Sequence, residues 1–389
     1  MMRRKWNRQL TGAAFALLVG MGINTTEAEP AWSINAKNVI AIKDTKALDI
    51  ELVYENIRHA SSSIADLSSM EEEMDGQALR EMIAAYALPT GELFSRGKVV
   101  TEEAKQSLLD NRNLSPIGKM QPVGYGVAVR RANVKALPTG GGLFAAEDDV
   151  EGDVLQQGAL DPCEPVRLLH VSTDRRYYFV QGAALRGWVF IGDIAVAKKS
   201  WWQSFAEPTQ FLVVTSRGER IKQANETVYA QMGARLPLRN EDDKQYKIIM
   251  PVRGNHGKLI EAETLIDKKD SFAVGYLDYT EENITKLASA YVGAPYGHRG
   301  LKNSEDSSGM IADIYRAMGI TLPQKASELR SAAAVLPPCG NIEIMETTDG
   351  DNLLVLARSG EGISVVGRSA DGKQIAAYTI AETSEGAAE

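Results

Sequence analysis

The sequence predicts a multidomain protein in which a helical N-terminal segment precedes two small all-β modules and a C-terminal α+β domain. Three observations carry this expectation. The chain has 389 residues, enough for two or three domains. Its apolar spacing changes near Pro122 from helical periodicity to short alternating strands. A capped helical pattern returns at Thr280-Glu281-Glu282-Asn283, where a hydroxyl N-cap precedes two acids in the first turn.

Composition narrows the function. With 44% hydrophobic and 24% charged residues the chain is ordinary globular material, which excludes collagen-like, low-complexity and wholly disordered classes. Its 43 Lys and Arg against 51 Asp and Glu give a net charge of -8, so no basic surface points to nucleic acid or anionic lipid. The first residues, with Arg3, Arg4, Lys5 and Arg8 ahead of an apolar run too short to span a bilayer, read as a signal peptide over 1–28. Cleavage is expected after Ala28. No Cys lies near that point to carry a lipid, and no later apolar run reaches the length of a membrane span, so a soluble periplasmic or secreted protein is expected.

Residues 29–121 carry helical spacing, first at Ile57, Ile64, Leu67 and Met70 and then at Leu79, Met82, Ile83 and Tyr86, before Pro89-Thr90-Gly91 breaks it. His59 reads as a solvated helix residue. Residues 122–198 alternate in short runs, with Tyr125–Arg130, Pro165–Val171 and Arg176–Val180 as the clearest strands and Ser172-Thr173-Asp174 as a turn. This spacing suits a small, partly open barrel whose aromatics, Tyr177, Tyr178, Phe179 and Trp188, form its core. Residues 199–279 are also β-rich, with strands at Phe211–Thr215, Tyr246–Val252 and Lys258–Ile260; Trp201-Trp202 at their start could be an interdomain contact, a binding edge or packing.

In residues 280–389, Ile284, Leu287, Ala288 and Tyr291 define one helix that stops by Gly293. A loop follows, and a second helix starts at or near Ser307, with Met310, Ile311, Ile314, Tyr315 and Met318 as its apolar stripe. Asp306, Ser307 and Ser308 are good N-cap residue types. The only cysteines, Cys163 and Cys339, read as inert loop thiols with no predicted pairing. No metal-ligand cluster, phosphate-binding glycine loop or internal repeat is present, so neither metal nor cofactor is expected.

Two resemblances give these patterns a function. The run from Tyr125 to Ala195, with Arg130-Arg131-Ala132-Asn133-Val134, His170-Val171-Ser172-Thr173-Asp174 and Gly187-Trp188-Val189, resembles the bacterial SH3-like domain that accompanies secreted cell-wall peptidases; residues 199–279 are similar to a second such domain. The final region resembles the NlpC family of papain-like cysteine peptidases, which cut γ-D-glutamyl to diamino-acid bonds in peptidoglycan stem peptides. That family's Y-x-W-G-G, D-C-S-G and G-I-x-L-P-R appear here as Tyr296-Gly297-His298-Arg299-Gly300, Asp306-Ser307-Ser308-Gly309 and Gly319-Ile320-Thr321-Leu322-Pro323-Gln324.

The resemblance puts Ser307 where the family has its nucleophilic thiol and Glu361 where it has the imidazole base. No His follows His298. A thiol at a helix start beside an imidazole becomes a thiolate, whereas a hydroxyl there needs a base within reach during attack. An exposed carboxylate such as Glu361 is too weak a base for that role. The reading is therefore an inactive peptidase fold that binds peptidoglycan stem peptides or a cell-wall enzyme partner, with Tyr296, Asp306 and Ser308 as binding residues. The rival reading is a working peptidase with Ser307 as nucleophile and His298, which stands at the family's Trp position, as base.

Overall fold

The computed structural model describes residues 50–223, 226–346, 353–359, 362–369 and 373–380, with two-residue strands at Asn7–Arg8 and Ile34–Asn35. Residues 1–28, read above as a signal peptide, and Glu361 otherwise lie outside the described residues. The chain divides into two compact units, one of them Ser62–Tyr276 with His298–Asn303, the other containing residues up to Ser61, Leu277–Gly297 and the chain from Ser304.

The first unit holds helices α2 (Gly76–Ala84), α3 (Glu102–Asp110) and α4 (Lys199–Ala206) and most of the strands. Seven strands, β1 (Gly124–Ala128), β2 (Ala132–Lys135), β3 (Gln156–Leu160), β4 (Pro165–Val171), β5 (Tyr177–Gln181), β6 (Arg186–Phe190) and β7 (Ile194–Ala197), form one antiparallel sheet in the order β7-β1-β4-β5-β6-β2-β3. Tyr177, Phe179 and Trp188 are buried together with Leu79 and Ile83 of α2, while Tyr178 packs at the edge of a separate cluster around Val180 and Val189. The expected aromatic core therefore splits between the two faces of β5, as the alternation of side chains along a strand requires.

Seven further strands continue the unit: β8 (Phe211–Val214), β9 (Gly218–Gln223), β10 (Glu226–Gln231), β11 (Arg235–Glu241), β12 (Gln245–Arg253), β13 (Leu259–Asp267) and β14 (Phe272–Val274). They pair as the hairpin β9-β10 and a sheet in the order β13-β12-β11-β8-β14. The β-rich reading of 199–279 begins instead with a helix, because Trp202 and Phe205, three apart in α4, both bury their rings. Trp202 donates its indole N–H to Val166 O at 3.2 Å, whereas Trp201 stays 47% exposed. One apolar cluster runs through both strand sets, from Val127 and Ala195 to Leu212, Leu236 and Ile248.

Arg167 anchors the segment that leads into this unit. Its guanidinium is buried and donates to Leu67 O at 3.0 Å, Met70 O at 2.8 Å and Glu71 O at 2.9 Å, while lying 4.3 Å from the centroid of the Tyr125 ring. A buried cation is tolerated here because backbone carbonyls take up its donors.

The second unit packs α1 (Ile50–Ala60) with α5 (Glu281–Ser289), α6 (Ser307–Arg316), α7 (Ala326–Ala333) and the antiparallel sheet β15 (Ile342–Glu346), β16 (Leu353–Ser359), β17 (Gly362–Arg368) and β18 (Ile375–Ile380). Thr280 caps α5 as its sequence predicts, accepting from Asn283 N at 3.2 Å. Ser61 donates to Glu328 at 2.6 Å, tying the end of α1 to α7, and the Tyr54 hydroxyl donates to Gly319 O. Ile284, Leu287, Met310, Ile314 and Ile342 are buried. Between α5 and α6, Tyr291 donates to the buried Asp313 at 2.8 Å.

Candidate functional site

The site is built at the start of α6. Asp306 has extended backbone angles and caps the helix: one carboxylate oxygen accepts from Gly309 N at 2.8 Å and from the Ser308 hydroxyl at 2.9 Å. Ser307 is the first helical residue and is 1% exposed. Its N–H donates to the Tyr296 hydroxyl at 3.4 Å. Of the three expected capping residues, Asp306 makes the cap, Ser308 braces it, and Ser307 faces Tyr296. A Cβ at Gly309 would meet the end of the buried Glu305 side chain, which would have to shift to make room.

Tyr296 is held from both sides. Its N–H donates to Lys373 O at 2.8 Å, it bridges in parallel to Glu305, and the Arg368 guanidinium lies 5.0 Å from its ring centroid. Burial first, and then the charge of Asp306, push the Tyr296 hydroxyl up from its ordinary value; hydrogen bonding with Ser307 and the charge of Arg368 pull the other way. The hydroxyl is therefore neutral at physiological pH and available as a hydrogen-bond partner. The structure thus brings Tyr296, Asp306, Ser307 and Ser308 together.

His298 belongs to the other compact unit, with Leu301 N donating to its carbonyl at 2.9 Å. Asp149 of that unit sits below its ordinary value mainly because Gly152 N and Glu151 N donate to it, and the charge of His298 adds to this. Arg368 and Glu305 were not foreseen. No local pattern marks Arg368, the last residue of a strand, and Glu305 reads as one more polar residue ahead of a helix cap.

The cysteines do not supply a nucleophile. Cys339 is buried near the start of α5, where burial and the charge of Glu281 push its thiol up to about 11. Cys163 is buried and its thiol is raised further still. Both are free thiols. Among the described residues no group of His, Cys, Asp and Glu could hold a metal ion, and no helix is long and apolar enough to cross a membrane.

Residues 143–190 match the family model for the SH3 domain of the SH3b1 type. Among solved structures, the chain resembles an NlpC/P60 endopeptidase from Photobacterium damselae subsp. piscicida, with a TM-score of 0.64 and 17% identity over 88% of this chain and 87% of that one. The chain has an NlpC/P60 fold with an SH3 domain. An NlpC/P60 family protein from Bacillus cereus ATCC 10987 aligns with a TM-score of 0.45 and 14% identity over 67% of this chain and 95% of that one. No curated protein matches. At 17% identity the likeness to the Photobacterium endopeptidase is one of fold, and a fold does not by itself fix the chemistry of this chain.

Proposed function

We propose that this chain is an extracytoplasmic, cell-wall-associated protein that binds peptidoglycan stem peptides on an NlpC/P60-type fold without cutting them. One observation carries the reading: a buried serine, Ser307, stands at the first turn of α6 where the resembled family has a thiol, and no histidine follows His298 in the sequence. A helix end favours negative charge but does not ionise a hydroxyl, and a nucleophile and base that act as a unit lose nearly all effect when either is missing.

On this reading the domains are a signal peptide over 1–28, a helical segment over 29–121, SH3-like modules over 122–198 and 199–279, and a papain-like domain over 280–389. Tyr296, Ser307 and Ser308 offer hydroxyls to the ligand, Asp306 holds the turn that presents them, and Glu361 occupies the base position of the resembled family. The SH3 domain match supports a cell-wall setting.

The test is incubation of the purified full chain with defined muropeptides, with binding read by calorimetry and products by mass spectrometry. The expected result is saturable binding with the muropeptides recovered intact. Release of stem-peptide fragments that disappears in Ser307→Ala would overturn the proposal in favour of a serine peptidase.

A further inference from the structure

A cavity of about 400 Å³ opens in the β-rich unit, a size within the roughly 300–1,000 Å³ of small-molecule sites. Of its lining residues only Leu143 falls in the stretch that matches the SH3 model, so the chain ahead of that domain builds most of it. Three pieces of chain form the walls. The first is a hairpin that pairs Phe94–Ser95 with Lys98–Val99 across Arg96 and Gly97, whose φ values of 52° and 69° suit a two-residue turn and place Lys98 directly after its tip. The second is α3, through Ala104, Ser107 and Leu108, and the third is the loop 139–143.

That loop is fixed from behind. Lys135 and Asp153, 7% and 1% exposed, form an ion pair at 2.9 Å; Lys135 also donates to Gly141 O at 2.7 Å, and Asp153 accepts from Leu143 N at 3.0 Å. Ser95 donates to Gly142 O at 3.0 Å, which joins hairpin to loop, and Phe94 and Phe144 exchange backbone hydrogen bonds at 2.8 and 2.9 Å. The walls are therefore held without a ligand, which keeps the ordering cost of binding low. On the apolar side, Leu143 belongs to a buried cluster with Leu93, Leu137 and Leu155, against which Val100 and Leu108 pack.

The lining carries one charged group, the ammonium of Lys98, and no acid. The Lys98 and Ser107 side chains have no partner among the described residues, and Thr139 Oγ1 accepts from Gly141 N at 3.1 Å, which leaves its O–H to give. Ser95 and Thr101 are already engaged, Thr101 as the cap of α3 that accepts from Ala104 N at 3.2 Å. A net charge of -8 gives no long-range attraction for anions, so these local donors have to do the holding.

We propose that this cavity binds a small carboxylate of monosaccharide or dipeptide size, its oxygens on Lys98, Ser107 and Thr139 and its methyl groups against Val100, Leu108 and Leu143. In a cell-wall setting that chemistry comes in two forms, the lactyl carboxylate of N-acetylmuramic acid and the C-terminal carboxylate of an alanyl peptide. The cavity is separate from the start of α6, and its test does not depend on the reading of Ser307.

Calorimetry on the full chain tests this with N-acetylmuramic acid and D-alanyl-D-alanine, each beside a counterpart without the carboxylate, N-acetylglucosamine and D-alanyl-D-alanine amide. At least one acid is expected to bind at about 1 mM or tighter, and its counterpart about tenfold more weakly. Which acid binds tells sugar from peptide. Lys98→Met is expected to weaken that acid about tenfold, and Lys98→Arg to stay within about threefold. Gly141 has no left-handed φ, and a Cβ there would lie 3.6 Å from Thr139 Oγ1 and 4.0 Å from Ser95 Oγ, ordinary contacts with two lining residues. Gly141→Leu is therefore expected to fold, fill the cavity and abolish binding.

Failure of both acids to bind would overturn the site, as would equal affinity for the counterparts or an unchanged affinity in Lys98→Met. Lys98 is exposed, so that variant decides the matter even if Gly141→Leu does not fold.

Discussion

The sharpest separation of structural from ligand-binding roles is available at Asp306. The sequence marks it as a residue of the binding site, and the structure gives one of its oxygens two donors, Gly309 N and the Ser308 hydroxyl. Asp306→Ala leaves the Gly309 N–H, on a buried residue, without its acceptor and removes a negative charge from the helix start. Loss of the cap costs about 1–2 kcal/mol and loss of the favourable charge about 0.3–1 kcal/mol, so about 2 kcal/mol is expected for the two together. That corresponds to roughly 30-fold faster exchange of the α6 amides under conditions where opening is in equilibrium. Asp306→Asn keeps an acceptor and is expected to lose only the charge contribution, about 0.5 kcal/mol. Amide exchange across α6, read by mass spectrometry in the full chain, measures both. If Asp306→Ala changes the exchange by less than about twofold, below roughly 0.5 kcal/mol, the carboxylate is not the cap and the geometric assignment is wrong.

Three further outcomes are expected. Arg167→Met, which strands the Leu67, Met70 and Glu71 carbonyls, should destabilise the β-rich unit by about 3 kcal/mol in urea unfolding followed by tryptophan fluorescence; a loss under about 1 kcal/mol would show that the buried guanidinium is not an anchor. The thiol of Cys339 is raised from its ordinary value of 9.0 to about 11, so the unfolded chain ionises first as pH rises. Its contribution is intact below about pH 9 and falls by about 1.4 kcal/mol per pH unit toward pH 11, a slope that should be missing from Cys339→Ala in paired denaturation curves. Finally, Ser307→Cys should release no peptide from muropeptides, with or without added imidazole; turnover in that variant would remove the basis for an inactive site.

Much of this layout is legible locally. The cap at Thr280 is read correctly, and the three candidates Asp306, Ser307 and Ser308 include the residue that caps α6, because a cap depends on residues two or three apart; the hairpin of β4 and β5 is read because alternation and a polar turn are also short-range. What the sequence hides is long-range pairing. Arg167 sits within an alternating strand where a cation suggests solvent, yet carbonyls about a hundred residues earlier enclose it. The helical spacing at Ile57 marks an apolar face without saying what covers it, and α1 packs in the C-terminal unit whereas α2 and α3 pack in the other. The same limit applies to Arg299: in the string Tyr296-Gly297-His298-Arg299-Gly300 it looks like a loop cation, and only the fold supplies Gln156 as its partner.

The polar environment of Ser307 also explains why restoring the thiol is expected to fail. The positive end of α6 amounts to roughly half an elementary charge and already has Asp306 on it, while the carboxyl of Glu305, 5% exposed, lies against Gly309 within the same first turn. The field of Asp306 is felt at the next hydroxyl, since it helps to push Tyr296 up. A thiol at residue 307 would be 1% exposed if it took the serine's place, so burial would also oppose its ionisation. Arg368 lies over the Tyr296 ring, with its guanidinium 5.0 Å from the ring centroid. A hydroxyl asks for none of this compensation: it stays neutral in a buried acidic corner and still donates or accepts one hydrogen bond. Imidazole added to Ser307→Cys would supply a base without changing the field around the sulfur, so on the proposed reading that variant is expected to bind muropeptides and leave them intact.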